Sequence, residues 1–294
     1  MSPMIFNTRL SRLQRGVTLI ELMVGIAIGL LVVAVAVSVL MISRGVSGTV
    51  SDSSTIQEQA AYALRVMGSQ LRPAGSMSLN LNSGNAAAGN LTLAPVAFEA
   101  TATSTDPSVL SYDTNQAAQQ LSGTATTLAA GYSRNLVNAF SSATPTSFAR
   151  NCQNGPADDV ADLRIESIFS LDTTDNELQC SSTNSGGVVT VQPIINNVAN
   201  FQVRYLLQAS SAIGAPTIRY ADAAAVGGNW GRVQGVEVCL VLYGDEAISM
   251  PAGTAYTDCD GSTMVDMTTL SGIRQNRMHM VFRNVFQLRS QGSS

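Results

Sequence analysis

The chain has 294 residues, of which 45% are hydrophobic and 12% charged, apolar enough to build a core and to exclude a disordered polymer. All 16 basic residues are arginine, set against 20 acids for a formal net charge of -4, so there is no basic face for a polynucleotide. None of the four cysteines (Cys152, Cys180, Cys239, Cys259) lies in a CxxC pair, which argues against zinc and for disulfides in an oxidising compartment.

Residues 1–16 form a short basic leader with Arg9, Arg12 and Arg15. Removing it leaves 13 arginines against 20 acids, a net charge of about -7, so the remainder is acidic. From Leu22 to Ile42 the chain carries no charge and one hydroxyl, Ser38. As a helix this run spans roughly 32 Å, enough to cross a bilayer. The arginines before it, against Arg44 alone just after it, keep the N-terminus cytoplasmic and send the rest outward. A cleavable secretory signal fits poorly, because its apolar core is usually about 7–15 residues long and Val46-Ser47-Gly48 is only a passable cleavage site. A plain signal anchor is opposed by Glu21, because a carboxylate at the threshold of an apolar run costs a few kcal/mol (~3) unless paired.

The decapeptide Arg15-Gly16-Val17-Thr18-Leu19-Ile20-Glu21-Leu22-Met23-Val24 resembles the class III signal of type IV prepilins. The resemblance implies cleavage by a prepilin peptidase between Gly16 and Val17, N-methylation of the new terminus, and Glu21 as the fifth mature residue. In that family the glutamate neutralises the N-terminal amine of a neighbouring subunit, and two charges in lipid are each costly alone and tolerable together. The chain departs from the family pattern at Val17, where Phe or Met is commoner. It also departs at Ser38, where many major pilins carry a helix-breaking proline. Gly25 and Gly29 add a small-xxx-small spacing for close helix contact in membranes.

Beyond residues 17–43, the transmembrane and filament-core half of the helix, a polar stretch from Ser43 to Ser54 with Gly45 and Gly48 reads as a hinge. Ile56, Ala60, Ala63, Leu64, Met67 and Leu71 then draw one apolar stripe, the amphipathic half of the helix within residues 44–75, ending at Pro73 and Gly75. The segment Gln57 to Gly75 is similar to the one that follows the membrane helix in PilW-type minor pilins. Residues 76–150, rich in Ala, Ser, Thr, Asn and Gly, read as a long loop-rich insertion with short apolar pieces at 91–98 and 109–112. Residues 151–294 turn to strands, at 162–168, 188–191, 201–207, 233–243 and 278–288. The economical architecture is α+β: a long N-terminal helix packed on an antiparallel sheet domain. The series Asn197 to Tyr205, Tyr220 to Ala223, Trp230 to Val238 and Arg283 to Arg289 resembles the PilW family, so the pilin-like fold is expected.

Order and spacing pair Cys152 with Cys180 and Cys239 with Cys259, one of three connectivities. No catalytic constellation, metal set or cofactor motif emerges, and the chain reads as a non-enzyme. His279 stands alone in a strand and reads as structural, and pairing it with Cys239 as a nucleophile would require a free thiol. The runs Asp258-Cys259-Asp260-Gly261 and Asp172 to Glu177 lack the full calcium-ligand series and read as turns. Trp230 and Arg232 could form a binding platform, but an aromatic that starts a strand, as Trp230 does, reads as core.

The resemblance implies a minor pilin held in the inner membrane with a periplasmic C-terminal domain, then built into a pilus on the cell surface. Its partners would be prepilin peptidase, other minor pilins, the major pilin and a large tip adhesin. Its role would be to prime assembly and form the tip, supporting twitching motility and adhesion. A J-type minor pseudopilin of type II secretion shares the leader, and a membrane-tethered surface-binding module is the reading from another class.

Overall fold

The computed structural model describes residues 16–74, 121–133, 146–157, 164–184, 186, 188–209 and 217–288. The leader arginines, Gly75 and the apolar pieces at 91–98 and 109–112 lie outside the described residues. The chain divides into two units, residues 1–50 and 51–294.

In the first unit, helix α1 (Leu19–Leu71) begins. Its segment Leu19–Met41 is 23 residues long with a mean hydropathy of 2.8, and none of it is buried inside the protein. The hydroxyl of Ser38 donates to the Ala34 carbonyl at 2.8 Å, so it brings no unsatisfied polar group into the apolar run. No proline occurs between Val17 and Arg72, and α1 runs unbroken through residues 43–54. The expected hinge is therefore helical. Each glycine costs a helix about 1 kcal/mol, less than the penalty of nucleating a second helix beyond a break.

In the second unit, the last five turns of α1 bury one stripe: Ile56, Ala60, Ala63, Met67 and Leu71 are each no more than 3% exposed. Two antiparallel sheets share the core with this stripe. The first is a five-stranded meander of β1 (Leu121–Gly123), β2 (Thr127–Ser133), β3 (Arg164–Asp172), β4 (Glu177–Thr183) and β5 (Val189–Ile195), in that order. It delivers Leu128, Phe169, Leu178 and Ile195 to the core. The second is built from β6 (Val198–Gln208), β7 (Ile218–Ala221), β8 (Val233–Ala247) and β11 (Arg277–Gln287), in the order β11-β8-β6-β7. Along β6 the side chains of Phe201, Val203, Tyr205 and Leu207 alternate inward, as period-two burial requires.

Strands β1 and β2 fall inside the stretch expected to be loop. The composition of β2, Thr-Leu-Ala-Ala-Gly-Tyr-Ser, is a weak strand signal, but Leu128, Ala130 and Tyr132 are buried and the strand pairs with β3 along its whole length. Tertiary pairing overrides local propensity here.

The central strand β8 is buried on both faces from Val238 to Tyr243, which explains its unbroken apolar run. Val238, Leu240 and Leu242 face the main core. Cys239 and Val241 face a second, smaller cluster with Cys259, Tyr256 and Val281. That cluster lies under a flap, residues 248–276, which carries the two-stranded sheet of β9 (Ala255–Thr257) and β10 (Met264–Asp266). A short helix, α2 (Ala223–Val226), follows β7, with the Asp222 side chain accepting from the Ala225 N–H.

Candidate functional site

The first turn of α1 holds the residues singled out in the leader motif. The Thr18 carbonyl accepts from the Leu22 N–H at 3.1 Å, and its hydroxyl oxygen accepts from the Glu21 N–H at 3.3 Å. Thr18 is thus the N-cap, with Glu21 three residues on, the spacing of a capping box. A carboxylate in the first turn also sits favourably at the positive end of the helix dipole. Glu21 is exposed, and its carboxylate has no partner among the described residues. Val17 is 70% exposed, and among the described residues nothing approaches within 4 Å of where a side chain on Gly16 would begin. Gly16, Val17 and Glu21 therefore stand together as an open, accessible N-terminal turn. The contribution of Thr18 was readable from its spacing to Glu21.

In the second unit, the structure joins Cys152 to Cys180 and Cys239 to Cys259, with Cα atoms 6.5 and 5.7 Å apart. The first bond ties the segment before β3 to β4, and the second fastens the flap to the outer face of β8. Around the flap, the Asn200 side-chain amide donates to the Asp258 carboxylate at 2.9 Å, and the Arg274 guanidinium to the Ala199 carbonyl at 3.3 Å.

Two polar clamps hold the second-unit part of α1, and neither stands out in the sequence. The Asp52 carboxylate accepts from the Glu246 N–H at 2.9 Å. It needs glycine at 244, because a Cβ there would lie 2.4 Å from its oxygen. Near the other end, Gln70 is buried; its Nε2 donates to the Arg150 carbonyl at 3.1 Å, and its Oε1 accepts from the hydroxyls of Tyr132 and Ser167. Burial pushes the Tyr132 phenol up to about 12, so it remains a donor in this network. The only sequence signal for the clamps is position, since Asp52 and Gln70 lie at the two ends of the apolar stripe.

The remaining chemical candidates are structural. Trp230 is buried and meets Tyr205 edge-to-face at 5.0 Å. In the two acidic runs, Asp172 accepts from the Thr174 N–H and Asp260 from the N–H groups of Ser262 and Thr263, each at 2.8 Å. Hydrogen bonding, from the Thr174 amide for Asp172 and chiefly from the Thr263 hydroxyl for Asp260, holds both below the usual carboxylate range. These are turns that stabilise themselves.

His279 is 7% exposed, stacked on Tyr256 at 5.0 Å and tilted against Tyr243 at 5.7 Å. Its Nδ1 lies 2.9 Å from the Arg277 carbonyl, and its Nε2 is buried with no partner among the described residues. Burial pushes the imidazole below its ordinary value of 6.5, with the Arg274 charge acting in the same direction and the Arg277 carbonyl against it. The folded protein therefore binds this proton less readily than the unfolded chain. Stability from His279 is present above pH 6.5 and is lost as the pH falls below that value towards the folded one. Thermal unfolding of the full chain in detergent should show a lower midpoint at pH 5.5 than at pH 7.5. His279→Phe should flatten that step, whereas an equal step in the variant would assign it elsewhere.

Residues 11–37 match the prokaryotic N-terminal methylation motif, and residues 168–290 match the family described as Type IV Pilus-assembly protein W. Among solved structures, a type IV-like pilin from Thermus thermophilus is similar at 12% identity, over 58% of this chain and 84% of that one, with a TM-score of 0.30. No curated protein matches the chain. Along the chain, then, a match to an N-terminal methylation motif is followed by a match, over less than half of its length, to the Type IV Pilus-assembly protein W family.

Proposed function

We propose that this protein is a minor pilin, a structural subunit that primes type IV pilus assembly. The observation that carries this reading is the methylation motif at 11–37, laid over an exposed apolar helix and followed by the W domain at 168–290. Prepilin peptidase cuts between Gly16 and Val17, and the new amine is methylated. Before assembly, residues 17–43 sit in the inner membrane and the domain from 151 onward lies in the periplasm, where its disulfides form. On assembly, Glu21 pairs with the cationic N-terminus of a neighbouring subunit, which offsets two charges that lipid solvates poorly. Together with other minor pilins and the major pilin, the protein forms the pilus tip, supports a large tip adhesin, and so serves twitching motility and attachment.

Deletion of the gene tests the proposal. Surface pili should fall sharply and return with a plasmid copy. Normal piliation combined with lost secretion of extracellular enzymes would replace this reading with a type II secretion pseudopilin. Normal piliation with lost adhesion alone would favour a surface-binding module.

A further inference from the structure

Strand β11 is the last strand of its sheet and pairs along one side only, with β8. The Leu288 N–H donates to the Gln234 carbonyl at 3.0 Å. Backbone groups alternate along an antiparallel ladder, so those of Val285 and Gln287 point away from β8. The other long sheet edge among the described residues is blunted, because β5 carries Pro193. The edges at β1 and β7 are only 3 and 4 residues long. Near the flap, Arg283 is engaged by the Asp258 carbonyl at 2.8 Å, whereas residues 284–287 have no such cover among the described residues.

Beside this edge runs a groove whose other wall is the end of α1 and the turn after it, with Arg65, Gly68 and Arg72 facing Asn284 and Phe286. Gly68 keeps the wall low, because a Cβ there would lie 2.7 Å from the Phe286 ring. Arg65 and Arg72 are exposed and make no ion pair among the described residues, although acids outnumber arginines in the chain. They stand two helical turns apart, about 10 Å, so both reach over the same groove.

We propose that this groove binds an extended acidic segment of a second polypeptide, which adds as a strand to the Val285–Gln287 edge and sets carboxylates against Arg65 and Arg72. Main-chain hydrogen bonds supply affinity in such strand addition, and guanidinium–carboxylate pairs supply selectivity. The inference does not depend on the filament reading.

The test measures anisotropy of a labelled eight-residue peptide alternating valine and glutamate, titrated with the full chain in detergent micelles, alongside a peptide with glutamine for glutamate. The acidic peptide should bind at least about tenfold tighter. Arg65→Glu with Arg72→Glu should remove that preference. Gln287→Pro deletes one outward N–H while leaving the β8 ladder whole, and should weaken binding about tenfold with the unfolding midpoint unchanged. If Gln287→Pro fails to fold, the arginine pair decides alone. Equal binding of both peptides, no binding at all, or binding untouched by the arginine changes would overturn the proposal. So would sedimentation showing that a second copy of the chain occupies the edge and excludes the peptide.

Discussion

Glu21→Ala should leave the leader cleaved normally and reduce incorporation of the protein into sheared pili by at least about tenfold. On the proposed pairing, removing the carboxylate would strand a cationic amine in an apolar filament core, and an unpaired charge in such surroundings costs about 3 kcal/mol, more than a factor of 100 in an equilibrium. Two roles of Glu21 must be separated, because it also occupies the capping-box position after Thr18. Glutamine serves that capping position nearly as well as glutamate but carries no charge. Glu21→Gln should therefore fail like Glu21→Ala if charge is what matters. Incorporation rescued by glutamine would assign Glu21 to helix capping instead. Quantitative immunoblots of sheared and cell-bound fractions read both outcomes.

Replacing Cys239 and Cys259 together with serine should lower stability by about 3 kcal/mol, the loop-entropy value for a separation of 20 residues. For a domain of this size the midpoint should fall by about 6–12 °C. Both cysteines are buried, at 2% and 1% exposure, so the serine hydroxyls add a desolvation penalty. The loss should be concentrated in the flap, because the bond fastens it over Val241 and Tyr256 covers His279. Limited trypsin digestion should then cut first at Arg274, while the bond between Cys152 and Cys180 keeps β4 protected. Uniform cleavage across the domain would show that the flap is not a separate cooperative unit.

Much of this fold is legible in the sequence because its periodicities are clean. The stripe from Ile56 to Leu71 repeats every three or four residues, and the alternation in β6 marks its inward side chains in advance. What the sequence hides has three physical origins. Strand β2, Thr-Leu-Ala-Ala-Gly-Tyr-Ser, has Ala-Ala-Gly at its centre and becomes a strand through pairing with β3. The glycines at 45 and 48 suggest a break, yet no proline enforces one and the helix continues. Asp52 and Gln70 look like ordinary surface polar residues until the ends of β8 and the segment around Arg150 supply their partners. At the N-terminal turn, the decapeptide at 15–24 lies inside the methylation-motif match at 11–37, and geometry adds Thr18 as the cap.

On the proposed function, this chain is processed at Gly16 and built into a filament. The most direct measurement is mass spectrometry of the chain recovered from sheared surface filaments. The expected result is a mature protein beginning at Val17, with its N-terminus methylated. A chain found solely in the inner membrane, still carrying residues 1–16 and absent from the filaments, would contradict it.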